Sequence, residues 1–461
     1  MKVRLSTAVA SVWTGRGKHL TLLLVAAAVL HVSVAAAVLT IGKRGLMPGH
    51  FAETGLGTFA SDGFVYQTEA VELCNVLKSQ GVRAWATWPT QLHVRLYSLP
   101  LVVLSRWTGF SILAIEPLNL IYYLAILVFV FKLGTLVFDY RTGLLAAGIV
   151  ALWPSLLLHT TQLLRDPLLI TAFLALLVSL TLCLKRDNTW HRGILLSIAG
   201  VMAIVAIRIV RLPMWDMLCA IIGIEVLFLL VRFVRQKRFP AGNVIFAVMM
   251  IAAIIIIPRF QGAFHNQQIV NRKRTIEPEE VQKLPVAEQI EARRQGFTLQ
   301  MGPHGEPVPS EAGSDIDNGV QLKSFADIVR HVPRAALVGF FAPFPNMWLS
   351  TGKQVGAGGR LLSGFETGLT YMIECLALFG LWTRRKHLAT WFLFLVAALG
   401  AMSLGLVVTN IGALYRLRYP FWALLVVLGA GGAANLLHRK SVSASSDFRP
   451  AAEQPAGTFH S

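Results

Sequence analysis

Two aspartates of the sequence lie where a helix is predicted to begin, and each could take part in a reaction. Asp62 comes before a stretch of helical periodicity, and Asp166 lies in the run Arg165-Asp166-Pro167 in front of an apolar segment. Aspartate is a common amino-terminal cap, and proline is typical of a first helical turn. A reaction at these two helix starts would also need two acids, one as base and one to orient the substrate. The helix after Asp62 is predicted from the spacing of Tyr66, Ala70, Leu73 and Leu77.

Arginines near predicted helix ends form a second group of candidate site residues. Arginines in such places often extend their guanidinium groups to lipid headgroups. A guanidinium also binds a phosphate group through two parallel hydrogen bonds. The functional interpretation therefore predicts a lipid phosphate as ligand, and the alternative is contact with membrane headgroups. The residues concerned are Arg208, Arg211, Arg416 and Arg418.

The composition predicts the elements that must position these residues. The chain has 461 residues, 55% of them hydrophobic and only 14% charged, whereas soluble proteins carry about 25% charged residues. This deficit excludes a soluble enzyme and predicts an all-α, polytopic helical membrane protein with about ten spans. The predicted spans are 19–41, 115–137, 143–160, 167–184, 193–209, 214–231, 241–257, 361–382, 388–408 and 419–437.

The net charge of +18 predicts the orientation of these spans. Most of the excess falls in short segments beside span ends, so the positive-inside rule places them, and both termini, in the cytoplasm. Nucleic acid is not needed to explain the charge. The short apolar run Gln91–Trp107 is interrupted by Arg95 and Pro100 and is predicted to be an interfacial helix. The basic segments are 1–18, 138–142, 184–192, 232–239, 383–387 and 438–461.

Four regions follow from this topology in the inner (cytoplasmic) membrane. The first is a transmembrane module, 1–257, with an outer, helix-bearing loop at 42–114. Its first apolar run is too long for a signal peptide and is expected to be an uncleaved anchor. The others are an outer loop (258–360) with an amphipathic surface helix at Phe325–Phe341, carboxyl-terminal spans (361–440), and a disordered cytoplasmic tail (441–461).

The order of these residues resembles the GT-C superfamily of membrane glycosyltransferases. The resemblance is to the bacterial set similar to protein O-mannosyltransferases and lipid A aminoarabinose transferases. In that set the first outer loop carries Asp-Glu, a tyrosine four residues after the Asp and a small residue eight after it. Here these positions are Asp62, Gly63, Tyr66 and Ala70, so the second acid is replaced by glycine.

Further segments extend the resemblance over roughly residues 15–235. The family's His-Pro-Pro-Leu-Tyr run matches His93-Val94-Arg95-Leu96-Tyr97, without the two prolines. Asp166 lies before the fourth span, and Arg211-Leu212-Pro213 matches an Arg-Pro that follows the fifth span. The segment Tyr415–Pro420 resembles a part of related polysaccharide-biosynthesis transferases.

The resemblance implies a sugar donor on a polyprenyl phosphate and an acceptor hydroxyl on the extracytoplasmic face, with inversion at the anomeric carbon. Asp62 would be the catalytic base in the GT-C-like module. The substrate would be bound by Asp166, Arg165, Tyr66, His93 and Tyr97, and the lipid phosphate by Arg208, Arg211, Arg416 and Arg418. No cofactor is firmly implied, and a divalent metal on Asp62 and Asp166 is left open. The acceptor could be a glycan, a lipid-linked glycan or a protein, in cell-envelope or exopolysaccharide synthesis.

Two other classes of function remain open at this point. A transporter or flippase of lipid-linked sugars would explain the spans and the intramembrane Glu225. It has no evident need for the long first outer loop, and the spans show no paired interruptions of the kind found in inverted repeats. A polysaccharide polymerase or ligase would also use outer arginines. The spacing of Asp62, Tyr66 and Ala70 favours the glycosyltransferase over both.

Overall fold

The structure is a computed structural model that describes residues 15–260, 284–301, 307–309, 315–349 and 356–447. These ranges are mainly helical, with one short antiparallel pair of strands, β1 (Leu299–Met301) and β2 (Pro307–Pro309). The helices are α1 (Gly15–Lys43), α2 (Asp62–Thr87), α3 (Leu92–Thr108), α4 (Ile112–Val137), α5 (Tyr140–Ala151), α6 (Pro154–Thr160), α7 (Asp166–Lys185), α8 (Trp190–Val210), α9 (Trp215–Gln236), α10 (Ala241–Ile256), α11 (Val286–Thr298), α12 (Phe325–Phe341), α13 (Gly356–Thr383), α14 (Leu388–Val407), α15 (Ile411–Leu417) and α16 (Tyr419–Asp447).

Eight helices in the described ranges are long and apolar enough to cross a membrane, which confirms the all-α, polytopic class. The segment predicted as a span over 143–160 is not one straight helix but two helices, α5 and α6, bent by 67°. The bend lies at Trp153, whose extended backbone is favoured by the ring of Pro154 that follows it. If the bent pair counts as one span, the total is nine. The eighth predicted span, 361–382, falls in α13, which does not belong to this set.

The bundle has two ends that differ in their charged groups. Helix α7 has 20 residues, so its ends are about 30 Å apart. At its carboxyl end Asp187 pairs with Arg232, and Arg384 lies 5.9 Å from the ring of Phe138. These residues come from four of the segments predicted to share the cytoplasmic side. The structure thus gathers those segments at one end, while the choice of membrane side remains a prediction from charge.

The segments predicted to face outward form two amphipathic elements beside the spans. Helix α2 buries Tyr66, Ala70 and Leu73, the face predicted from their spacing. Helix α12 has the bounds predicted for the amphipathic segment, and a Cβ added at Gly339 would lie 1.9 Å from the Ala401 carbonyl oxygen of α14. Helices α12 and α14 therefore pack in close contact.

The carboxyl-terminal segment differs in part from its prediction. Helix α16 continues to Asp447, so residues 441–447 are helical although the disordered tail was predicted to begin at 441. The rest of that predicted tail, 448–461, lies outside the described residues.

Small residues set the distance between α13 and α16. A Cβ added at Gly432 would lie 2.1 Å from the Leu376 carbonyl oxygen, and one at Gly380 would lie 2.2 Å from that of Leu428. Such contacts let helix backbones approach closely within a membrane. Because α16 follows directly after α15, this packing also fixes where the site residue Arg416 lies.

We expect Gly432→Ala to lower the free energy of unfolding by about 1–3 kcal/mol, because the added methyl group forces the two helices apart. The control is Gly223→Ala in α9, where an added Cβ meets no atom within 4 Å. Its stability should be unchanged or slightly raised, since alanine favours a helix over glycine. Thermal unfolding of the purified proteins measures both, and equal effects of the two variants would contradict this account of the packing.

Candidate functional site

Arg416 lies between the two predicted acids. Its Nη2 is 2.7 Å from Oδ2 of Asp62, and its Nε is 2.9 Å from Oδ2 of Asp166. On the other side of Asp166, Nη1 of Arg211 lies 3.6 Å from Oδ1. The side chains of Asp62, Arg416 and Asp166 are 22%, 14% and 5% exposed. We call the Asp62–Arg416–Asp166 arrangement the ion bridge.

Helix ends supply all the groups of the ion bridge. Asp62 and Asp166 are the first residues of α2 and α7, after Ser61 and Arg165 in the cap positions. Neither aspartate therefore occupies the cap position itself. Acidic side chains are stabilised in a first helical turn by the positive end of the helix dipole. Arg416 lies on the short helix α15, which is continued by α16.

Buried hydrogen bonds hold the loop that leads into Asp166. The Gly57 N–H donates to Oε1 of Gln162 over 2.8 Å, and Nδ2 of Asn119 donates to the Gln162 carbonyl oxygen over 3.3 Å. The hydroxyl of Tyr97 lies 2.7 Å from Oδ1 of Asn119 and 3.1 Å from the carbonyl oxygen of Leu164. The loop is therefore fixed to the backbone at Gly57 and to helices α3 and α4. Tyr97 therefore belongs to the support of the loop that leads to Asp166.

Tyr66 and His93 form an aromatic pair beside the ion bridge. Their ring centroids are 4.4 Å apart with the planes nearly perpendicular, and His93 is 1% exposed. Burial, helped by the charge of Arg165, lowers the pKa of His93 to about 3. Burial also raises the pKa of the Tyr66 phenol. Both rings are therefore neutral at physiological pH and give the site an uncharged wall.

The charges of the site leave arginine donors available to an anion. Burial disfavours the charge of Arg416, but the carboxylates of Asp166 and Asp62 outweigh it and raise the pKa of this residue. Nε of Arg165 is buried without a hydrogen-bond partner, and Nη1 of Arg211 makes an ion pair with Asp166 but no hydrogen bond. Three arginines thus face two carboxylates. This arrangement could bind a phosphate group, as guanidinium groups do in buried sites.

Two of the predicted phosphate-binding arginines are not part of this arrangement. Nη1 of Arg418 donates to the carbonyl oxygens of Phe340 and Ala342 over 2.8 and 3.0 Å, at the carboxyl end of α12. The guanidinium of Arg208 lies 4.6 Å from the ring centroid of Trp215. The structure therefore brings Arg211 and Arg416 to the acids and gives Arg418 and Arg208 other contacts.

Two buried acids were missed by the sequence analysis. Glu366 accepts hydrogen bonds from the backbone N–H and the hydroxyl of Ser155, over 2.7 and 2.5 Å. Oε1 of Glu116 lies 2.6 Å from Nδ1 of His31, between α4 and α1. The signal available in the sequence was an acid within an apolar helix, which is by default paired or functional. Apolar periodicity alone does not identify the partner.

The arrangement does not suit a divalent cation in the place left open for one. Among the residues that the structure describes, no three His, Cys, Asp or Glu side chains come together as metal ligands. The guanidinium of Arg416 occupies the space between Asp62 and Asp166. It supplies there the positive charge that a cation between two carboxylates would supply.

Comparison with known proteins adds no family to this geometry. No protein-family model matches the chain, and no curated protein matches it significantly.

The neutral His93 predicts that stability depends on pH. An unfolded histidine takes up a proton near pH 6.5, whereas His93 in the folded protein does so only near pH 3. The unfolded state therefore binds more protons between these values, and stability falls as the pH falls, by at most about 1.4 kcal/mol per unit. We expect His93→Gln to reduce this loss in thermal unfolding between pH 7 and 4.5. Equal pH dependence in both proteins would contradict the assignment.

Proposed function

We propose that this membrane protein is a glycosyltransferase that moves a sugar from a polyprenyl phosphate to an acceptor hydroxyl, with inversion. The observation that carries the proposal is the ion bridge with Arg211 beside it. It combines a carboxylate able to act as base with guanidinium groups able to hold a phosphate. The proposal also rests on the resemblance of the first 235 residues to GT-C transferases.

Asp62 is the general base in this proposal. A sugar or protein hydroxyl is a weak nucleophile, so its proton passes to Asp62 as its oxygen bonds to the anomeric carbon. On the opposite face of the sugar, the bond from the anomeric carbon to the phosphate oxygen breaks. The transition state has oxocarbenium-ion character, and the configuration at the carbon is inverted. Asp166 orients the sugar or the acceptor.

The leaving group needs positive charge and no proton, because a polyprenyl phosphate is a weak base. Arg165 has a buried N–H group without a hydrogen-bond partner, and one of Arg211 is held only by its ion pair with Asp166. Both groups would stabilise the charge that develops on the phosphate. Arg416 would exchange its contact with Asp62 for one with the phosphate. Asp62 would then accept a proton more readily once the donor is bound, because the positive charge beside it is shared with the phosphate.

The reaction is proposed for the extracytoplasmic face, with glycan, lipid-linked glycan or protein hydroxyls as acceptors in cell-envelope or exopolysaccharide synthesis. The positive-inside rule supports this side. A polyprenyl chain dissolved in the lipid around the apolar helices would reach the helix ends where the ion bridge lies.

We expect Asp62→Asn to lower turnover by about 10²–10⁴-fold, the usual contribution of a general base. The assay supplies membranes with labelled polyprenyl-phosphate sugars and follows the release of polyprenyl phosphate. The matched control is Asp216→Asn, because Asp216 is an exposed acid in the first turn of α9 that pairs with Arg293. It should keep wild-type turnover at equal expression.

Unchanged turnover in Asp62→Asn would contradict the role of Asp62. If the wild type consumes no monophosphate donor, the glycosyltransferase proposal itself fails. Transport of lipid-linked sugars, or polymerase or ligase activity with other lipid-linked glycans, would then be tested in its place.

A further inference from the structure

Glu366 of α13 is the centre of a second polar cluster. This cluster contains none of the residues that have a role in the proposed reaction. Its side chain is fully buried. It accepts hydrogen bonds from the backbone N–H of Ser155 over 2.7 Å, from the Ser155 hydroxyl over 2.5 Å, and from the hydroxyl of Tyr415. We call Glu366, Ser155 and Tyr415 the Glu366 cluster.

The partners of Glu366 lie on the two short helices next to the ion bridge. Ser155 is in the first turn of α6, and only five residues, 161–165, separate this helix from Asp166. Tyr415 is on α15 and is the direct neighbour of Arg416. Glu366 therefore joins α6, which leads to Asp166, with α15, which carries Arg416.

Further bonds make this junction stiff. The hydroxyl of Tyr419 donates to Oγ of Ser155 over 2.9 Å and lies 3.1 Å from Nδ1 of His159. The same nitrogen of His159 lies 2.6 Å from the Ser155 carbonyl oxygen. Hydrogen bonds to a buried carboxylate are short and strong, and a satisfied network of them fixes one arrangement of its members. Helices of seven residues, such as α6 and α15, are too short to hold their positions alone.

We propose that Glu366 is a positioning residue that sets the distance between Arg416 and Asp166, and thereby the geometry of the ion bridge. It does not touch the reacting groups. Its effect on activity rests on the proposed function, but its effect on Arg416 does not. The experiment can therefore be made without any substrate.

The measurement is the rate at which phenylglyoxal modifies Arg416 in the purified full-length protein, followed by mass spectrometry. A guanidinium held between two carboxylates reacts slowly, and one that is released reacts faster. We expect Glu366→Ala to raise the rate at Arg416 at least fivefold. Tyr415→Phe, which removes only one hydroxyl of the cluster, should raise it by a smaller factor.

Two controls separate positioning from general loosening of the fold. Glu374→Gln alters another acid of α13, two helical turns from Glu366, and should leave the rate at Arg416 unchanged. Arg294, which is 3% exposed and bound to the carbonyl oxygens of Leu406 and Asp317, is the internal reference. Its rate should stay at the wild-type value in every variant.

A wild-type rate at Arg416 in folded Glu366→Ala, or an equal rise at Arg294 and Arg416, would overturn the proposal. If Glu366→Ala does not fold, Tyr415→Phe decides, and a wild-type rate at its Arg416 overturns the proposal in the same way. If labelling responds as expected but no polyprenyl-phosphate sugar is consumed, the proposed function fails while the positioning role stands. In an active enzyme, Glu366→Gln should lower turnover and Glu374→Gln should not.

Discussion

The structure of the site depends on one buried guanidinium that holds two carboxylates from distant parts of the chain. Arg416 and Asp62 are 354 positions apart in the sequence, and Asp166 lies in a third region. Removing charges from water is costly, and the cost is recovered only where opposite charges meet in good geometry. Loss of one partner reduces the compensation of the remaining charges, most of all at Asp166, which is 5% exposed. The fold must therefore bring three helix ends to one place and keep them there.

The elements around the ion bridge meet this requirement in separate ways. The break at Trp153–Pro154 ends α5 and starts a short helix in a new direction, so the chain can reach Asp166 through a loop held by Gln162. Close packing of α16 against α13 places the segment that carries Arg416. Glu366 joins the two short helices. Rigid supports of this kind are what a site of fixed geometry needs, because small displacements of charged groups cost much of their interaction.

The sequence predicted most of the helices but not the contacts between their ends. Apolar length and periodicity identified the all-α membrane class, the buried face of α2 and the bounds of α12. Residue type and position also selected Asp62, Asp166, Arg211 and Arg416. The sequence could not show that Arg416 lies between the acids while Arg418, two residues later, binds the end of α12. That difference depends on the rotation of one short helix. Gly63, at the position where the GT-C transferases that the chain resembles have a second acid, illustrates the same limit. A Cβ added at Gly63 would lie 3.3 Å from the Leu163 carbonyl oxygen, a restriction that spacing does not reveal.

The central claim is that Arg416 and Asp166 stabilise each other in the folded protein, and a double-mutant cycle tests it most directly. Thermal unfolding is measured for the wild type, Arg416→Gln, Asp166→Asn and the double variant, purified under the same conditions. We expect each single variant to lose about 1–3 kcal/mol, because it removes one charged contact, although Arg416 keeps Asp62 and Asp166 keeps Arg211 as a partner. The double variant should lose clearly less than the sum, with a coupling energy of about 1–3 kcal/mol. Losses that add without coupling would contradict the ion bridge as the interaction on which the site depends.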